Sequence, residues 1–292
     1  MRQGALPLSL VVVCYEMARE LPRTLRSLST PYQRGVDSSD FEIIVVDNGS
    51  RLPPARTDFP DIEPALTVVS CSRSTTSPVA AINEGLARAR GELIAVWIDG
   101  ARMASPGLLR ACLDAARLHP RPVVATLNYQ LGPARQAISI GQGYTQAVEN
   151  DLLASIGWPE DGYRLFDIST GEMASPTSPM LESNALFLPR GLWEELGGYD
   201  ERFALPGGGL ANPDVFVRAV ALQDAQLIRI LGEGTFHQIH GGLTTGALRP
   251  TLDYVKEASR EYYALRARPL APVRKPGWLY HSPEGRVVRE EA

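Results

Sequence analysis

Leu8-Ser9-Leu10-Val11-Val12-Val13-Cys14-Tyr15 is an apolar, β-branched run that stops on a polar aromatic residue. It lacks the polar alternation of a half-exposed strand, so it reads as a strand covered on both faces, as in a parallel sheet. Working outward, Arg19 to Leu28 puts Leu21, Leu25 and Leu28 at helical spacing, with Arg23 and Arg26 on the other side. Phe41 to Val46 repeats the buried-strand pattern and halts at the turn former Asp47-Asn48-Gly49-Ser50. Leu66 to Cys71 reads as a third strand, Pro78 to Arg90 as a helix opening on proline and closing before Gly91, and Leu93 to Ile98 as a fourth strand. The order β-α-β-β-α-β predicts an α/β fold with a mostly parallel central sheet flanked by helices on both faces. Ligands of such sheets gather at the carboxyl ends of the strands.

The pattern continues with a helix at Ser105 to Leu118 and a strand at Pro122 to Tyr129. Gly132 to Met180 is rich in Gly and Pro, carries Tyr144, Trp158, Tyr163 and Phe166, and holds one helical piece near Gln146 to Ile156. Irregular stretches of this length are usually functional. A strand at Ser183 to Pro189, a helix at Gly191 to Leu196, the loop Gly207-Gly208-Gly209, a helix at Pro213 to Leu222 and a strand at Gln226 to Leu231 follow. A last helix covers Leu252 to Arg266, after which Pro269, Pro272 and Pro276 are read as forbidding further regular structure.

The chain has 292 residues, 44% hydrophobic and 21% charged, enough apolar content for a sizeable core without disulfides. A net charge of −4 argues against a nucleic-acid partner, which calls for a basic face. Cys14, Cys71 and Cys112 sit in apolar stretches without CxxC spacing, as reduced thiols of a cytoplasmic protein do. No apolar run reaches the 18 or more residues of a membrane span, and the segment after Met1-Arg2-Gln3-Gly4 is short for a signal peptide.

Tyr15, Asp47 and Asp99 each stand at the exit of an expected buried strand, so a parallel sheet would carry all three to one rim. An aromatic ring can stack on a base, one carboxylate can accept a base N–H, and another can hold ribose hydroxyls or a divalent metal. Each alone is equally well read as a turn former.

Together with Leu10 to Glu16, Arg19-Glu20-Leu21, Glu42 to Ser50, Ala89 to Asp99 and Leu196 to Phe203, these residues make the chain resemble the family 2 glycosyltransferases, over roughly Leu8 to Gly242. The resemblance implies the GT-A fold and transfer of a sugar from a nucleoside-diphosphate donor, UDP by expectation, to an acceptor hydroxyl or amine with inversion. It implies a nucleotide-sugar-binding half over residues 1–120, an acceptor half over 121–250, and a C-terminal helix and Pro-rich tail over 251–292. Tyr15 becomes a neighbour of the base with Glu16 bordering the pocket, Asp47 the acceptor for the base N–H, and Asp99 the carboxylate handling ribose and metal. The family's Asp-x-Asp is here Asp99-Gly100-Ala101, and its Arg-Asn pair is Ile82-Asn83.

Two routes could neutralise the departing diphosphate. Asp99 with one of His237 or His240, in Gly234 to Gly242, would hold Mn2+ or Mg2+, or Arg102 would act as a fixed cation without metal. The metal is preferred, although two histidines three apart also suit a hydrogen-bonded loop. Asp214, in Ala211-Asn212-Pro213-Asp214, resembles the later Asp of the family's acidic segment and is the candidate base, with Glu182 and Asp200 in reserve. An acid in a first helical turn is also favoured by the helix dipole alone. The triple glycine reads as a mobile lid, and Trp158, Tyr163 and Phe166 as an acceptor platform or plain packing. Arg266, Arg268, Arg274 and Lys275 read as a solvated run or a contact for an anionic surface. The missing second carboxylate keeps open an inactive nucleotide-sugar-binding protein. A nucleotidyltransferase fits worse, because Cys14-Tyr15-Glu16-Met17 is no basic glycine loop. The sequence also admits a homo-oligomer.

Overall fold

In the computed structural model, which describes residues 6–241 and 251–289, every position of β1 (Leu8–Cys14) is buried. Met1 to Gly4 and Gly242, read above, lie outside the described residues. Helix α1 (Leu21–Ser27) starts with proline in its first turn and buries Leu21 and Leu25. It leads to β2 (Phe41–Asp47), buried throughout, and to the more exposed β3 (Ala65–Ser70). Helix α2 (Val79–Arg88) then returns the chain to β4 (Leu93–Trp97) on the far side of β1. Strands β1, β2, β3 and β4 pair in parallel, in the order β4-β1-β2-β3. Gly91 makes the return possible: a Cβ there would lie 2.5 Å from the backbone nitrogen of Ser9.

A three-residue strand, β5 (Arg102–Ala104), comes next, too short to register as a period in the sequence. Helix α3 (Leu108–Ala116) and strand β6 (Pro122–Leu131) follow. The irregular stretch contains α4 (Gln136–Ser139), α5 (Gln146–Ser155) and β7 (Ser169–Gly171). Then β8 (Ala185–Pro189) enters the sheet antiparallel to both β4 and β6, joining the first strands to the later ones. Helices α6 (Arg190–Leu196) and α7 (Ala211–Val220) precede β9 (Gln226–His237). That strand runs six residues past its expected end at Leu231. Gly232, at φ +84°, lets the backbone swing in mid-strand and continue.

Helix α8 (Thr251–Arg266) is followed by two strands that the prolines were read as forbidding: β10 (Trp278–His281) and β11 (Arg286–Arg289). All three prolines precede residue 278, so none occupies a ladder position, and β10 pairs in parallel with β9. The main path of the sheet is β11-β10-β9-β6-β8-β4-β1-β2-β3, mostly parallel, with β5 on β9 and β7 on β6.

Side chains alternate between the two faces of each strand. Leu10, Val12, Ile43 and Val45 pack with Trp97 beneath α1 and α3. Val11, Val13, Ile44 and Val46 pack beneath α2, α6 and α7. Each such side chain contributes about 1.5–3 kcal/mol by leaving water. This double covering is the α/β architecture expected from the first strand. A smaller cluster, including Met103, Leu131, Leu153, Leu165 and Phe236, roots the irregular stretch on the sheet. Among the described residues, no helix is long and apolar enough to cross a membrane.

Candidate active site

The carboxyl ends of β1, β2 and β4 open onto a cleft of about 1180 Å³. Tyr15, Glu16, Asp99 and Arg102 line it, as do Glu182, Asn184, His237 and His240. Tyr15 presents a ring that is 54% exposed, free to meet a planar ligand. Glu16 adopts the left-handed region at φ +53°, and its carboxylate accepts from the Arg51 backbone N–H at 2.8 Å. It therefore joins the two turns that form this end of the cleft. That backbone hydrogen bond, together with the Arg51 side chain, holds the Glu16 carboxyl below its usual range.

Asp47 does not line the cleft. It is buried, and its carboxylate accepts the N–H groups of Gly49 and Ser50 at 3.0 Å and the Ser50 hydroxyl. The turn that ends β2 thus uses the Asp47 oxygens for its own closure. Its neighbour Asn48 forms part of the cleft wall instead. The Asn48 amide donates to the carbonyls of Thr75 at 2.8 Å and Ser77 at 3.4 Å, which leaves Oδ1 without a hydrogen-bond partner. A buried orphan acceptor costs about 1–3 kcal/mol. Sequence reading passed over Asn48 because Asn before Gly is already explained as a turn former.

At the centre of the cleft the pairing of β5 with β9 sets Arg102 opposite His237. This register brings Asp99, 138 and 141 positions away in sequence, to His237 and His240. The ligating atoms of Asp99, His237 and His240 lie within 4.8 Å of one another. The Nε2 atoms of the two rings face each other at 3.1 Å. Burial opposes charge on Asp99, but Arg102, the two histidines and the Ala101 N–H outweigh it and hold the carboxyl at about 2. Burial, with Arg102 adding to it, pushes His237 well below the usual imidazole range. The set is thus one ionised carboxylate and at least one neutral imidazole, a donor set that suits a divalent cation.

Arg102 is already engaged. Its Nε donates to Asp99 at 2.9 Å, and with the Asn184 carboxamide turned to satisfy its surroundings, Nη1 and Nη2 reach Asn184 Oδ1 at 3.0 and 3.1 Å.

The structure separates Asp214 from this centre. Its carboxylate is buried at 1% exposure and is gripped by Arg218 at 2.8 Å and by Arg266 at 2.6 and 2.8 Å. Both oxygens are taken by guanidiniums outside the cleft lining, so the structure does not bring the expected base to the cluster; Asp214 ties α7 to α8. Asp200, the other reserve, shares Arg266 at 2.8 Å. Glu182 lines the cleft. Burial lifts its carboxyl above the usual range, the Asn212 hydrogen bond opposes the lift, and Glu172 and Asp99 add to it. Asn212 stands in the segment whose family counterpart is acidic, and its Nδ2 donates to Glu182 Oε2 at 2.6 Å while its Oδ1 accepts from Tyr199.

Three further features take definite places. Gly207, Gly208 and Gly209 all have positive φ, yet the loop is pinned: Gly207 N–H donates to the Thr76 carbonyl, Gly209 N–H to the Tyr254 hydroxyl, and that hydroxyl donates to the Pro206 carbonyl. Trp158, Tyr163 and Phe166 do not line the cleft. Phe166 packs on Tyr129 and Phe236, Trp158 on Tyr32, and Tyr163 donates to the buried Glu233. Arg266 is committed to Asp214 and Asp200 instead of standing in a solvated run.

The sequence model of glycosyl transferase family 2 matches residues 9–166 of this chain. No curated protein matches the sequence significantly. Among solved structures, the chain is similar to Staphylococcus aureus TarS residues 1–349 in complex with UDP, with a TM-score of 0.53 and 12% identity. That likeness covers 88% of this chain and 64% of the other, so this chain spans less than two thirds of its length. It is also similar to TarS 1–349 in complex with UDP-GlcNAc, with a TM-score of 0.52 at 12% identity over 88% of this chain and 66% of that one.

Proposed function

This chain belongs to glycosyl transferase family 2, and we propose that it moves a sugar from a UDP-linked donor to an acceptor hydroxyl or amine in a single inverting displacement. The observation that carries this reading is the convergence of Asp99, His237 and His240 within 4.8 Å on the floor of one cleft. The two TarS complexes, which hold UDP and UDP-GlcNAc, support the choice of nucleotide.

Tyr15 stacks on the base. Asn48, in the cleft wall, borders the base. Asp99, His237 and His240 would hold a divalent cation, and their two imidazoles suit Mn2+ better than Mg2+. When bound, that cation supplies charge neutralisation for the departing diphosphate. Arg102 orients Asp99 through its 2.9 Å bond.

Glu182 is the general base. As the acceptor oxygen or nitrogen bonds to the anomeric carbon, Glu182 takes its proton, and the bond from that carbon to the diphosphate oxygen breaks to release UDP. A carboxyl lifted by burial is a stronger base than one in water. Tyr15, Asn48 and Asp99 fall before residue 120, whereas the two histidines, Glu182 and the α7 segment come from later in the chain.

A thermal-shift screen of UDP, CDP and GDP and their sugars, with and without Mn2+, tests the proposal. UDP with Mn2+ should raise the melting temperature most, and Asp99→Ala and His240→Ala should abolish the metal-dependent part. Equal stabilisation by all nucleotides, untouched by these substitutions, would exclude the site.

A further inference from the structure

We propose that Gln136, on α4, is a positioning residue that fixes the tautomer and the aim of His237. The inference rests on the metal-site reading above, but its geometry stands by itself. Gln136 is fully buried. Its Nε2 donates to the His237 carbonyl at 2.9 Å and faces the Leu131 carbonyl at 3.4 Å. With the amide nitrogen committed to two acceptors, only Oε1 remains to face the ring, and it lies 2.6 Å from His237 Nδ1. A carbonyl oxygen can only accept, so Nδ1 carries the proton and Nε2 carries the lone pair. That lone pair is the one directed at His240 and Asp99.

Gln136 is itself held. Its backbone N–H donates to Gln130 Oε1, so the amide cannot turn over without breaking contacts at both ends. The strand residue His237 is thereby gripped twice by one side chain, at its ring and at its carbonyl.

The loop that follows is gripped as well. Gln238 N–H donates to the Ala101 carbonyl at 2.8 Å, Ile239 N–H to Glu149 at 2.7 Å, and Arg19 donates to the Ile239 carbonyl at 3.2 Å. Both Gln136 and Glu149 come from the irregular stretch between Gly132 and Met180. One task of that stretch is therefore to support the two histidines from behind. Partners of this kind, on the far nitrogen of a ligating ring, typically change metal affinity by about 10–100-fold when removed.

Two measurements separate this inference from the metal reading. The first uses metal-free protein: long-range nitrogen–proton NMR of the imidazoles in the parent and in Gln136→Met, which keeps the side chain's bulk and removes its polar atoms. The parent should show His237 protonated at Nδ1, and the variant a mixture of tautomers. A parent His237 protonated at Nε2, or a pattern unchanged by the substitution, overturns the proposal whether or not metal binds. The second titrates Mn2+ alone, following the free ion by electron paramagnetic resonance. Gln136→Met should bind about 10–100-fold more weakly than the parent while melting as a single cooperative unit. Equal affinity in parent and variant refutes the positioning role. A parent that binds no Mn2+ but shows the Nδ1 proton refutes the metal reading and leaves the positioning of His237 standing.

Discussion

Glu182 and Asp214 are both acids in the segment that follows the irregular stretch, and their neighbours give them opposite work. Asp214 is flanked by Arg218 and Arg266, whereas burial dominates at Glu182, which bonds a neutral amide and feels Glu172 and Asp99 against Arg102. Glu182→Gln should therefore lower turnover by about 10²–10⁴-fold and leave UDP affinity within a factor of two or so of the parent, as checked by UDP release and calorimetry. Because its folded-state carboxyl is raised, the base is lost by protonation as pH falls through that raised value. The acid limb of activity should thus lie above the ordinary glutamate value of about 4.3 and vanish in the variant; an acid limb unchanged by the substitution assigns the proton to another group. Asp99 was singled out in the sequence by its place at a strand exit and the two histidines by the family resemblance. Gln136, Asn48 and Arg266 were not, because each acts through a partner far along the chain, and neither hydrophobic period nor local turn chemistry reports such pairs.

At the scale of elements, α8 works as a clasp. Tyr254 holds the glycine loop, Glu261 accepts the N–H groups of Ala204 and Leu205, and Arg266 grips α7 through Asp214. Arg266→Ala leaves the buried Asp214 with Arg218 alone and should cost about 3 kcal/mol of stability, measured by denaturant unfolding. Arg202 and Arg266 also hold Asp200 well below the usual carboxylate range, against the opposing effect of burial. A depressed carboxyl stabilises the fold at pH above its unfolded value of about 3.9, and that contribution disappears as pH falls through the folded value. Acidification below about pH 4 should therefore weaken the parent more steeply than Arg266→Ala; parallel stability curves would refute the linkage. The first strands were readable because burial on both faces leaves an unbroken apolar signature. Strand β5 was hidden by its three-residue length, and β10 and β11 by prolines that end before the strands begin.

Across the described residues one sheet carries both the first parallel strands and the later ones, with β8 as the antiparallel joint between β4 and β6. Trp97 sits near that joint, fully buried, with its indole N–H donating to the Arg102 carbonyl at 3.1 Å. Trp97→Ala should cost about 3–5 kcal/mol and also weaken Mn2+ binding, since the same residue braces the strand that carries Arg102. A loss of stability with unchanged Mn2+ affinity would confine Trp97 to the core. The parallel seat of β10 on β9 has a consequence for handling the protein. Strand β9 bears His237 at one end and lends its outer edge to β10 at residues 228–231. A protease nick between α8 and β10, followed by release of the hairpin, would bare a row of unpaired amides and carbonyls on the strand that ends at the ligand cluster. Such an edge invites a neighbouring molecule to dock, so clipped preparations should turn cloudy and lose their metal response together.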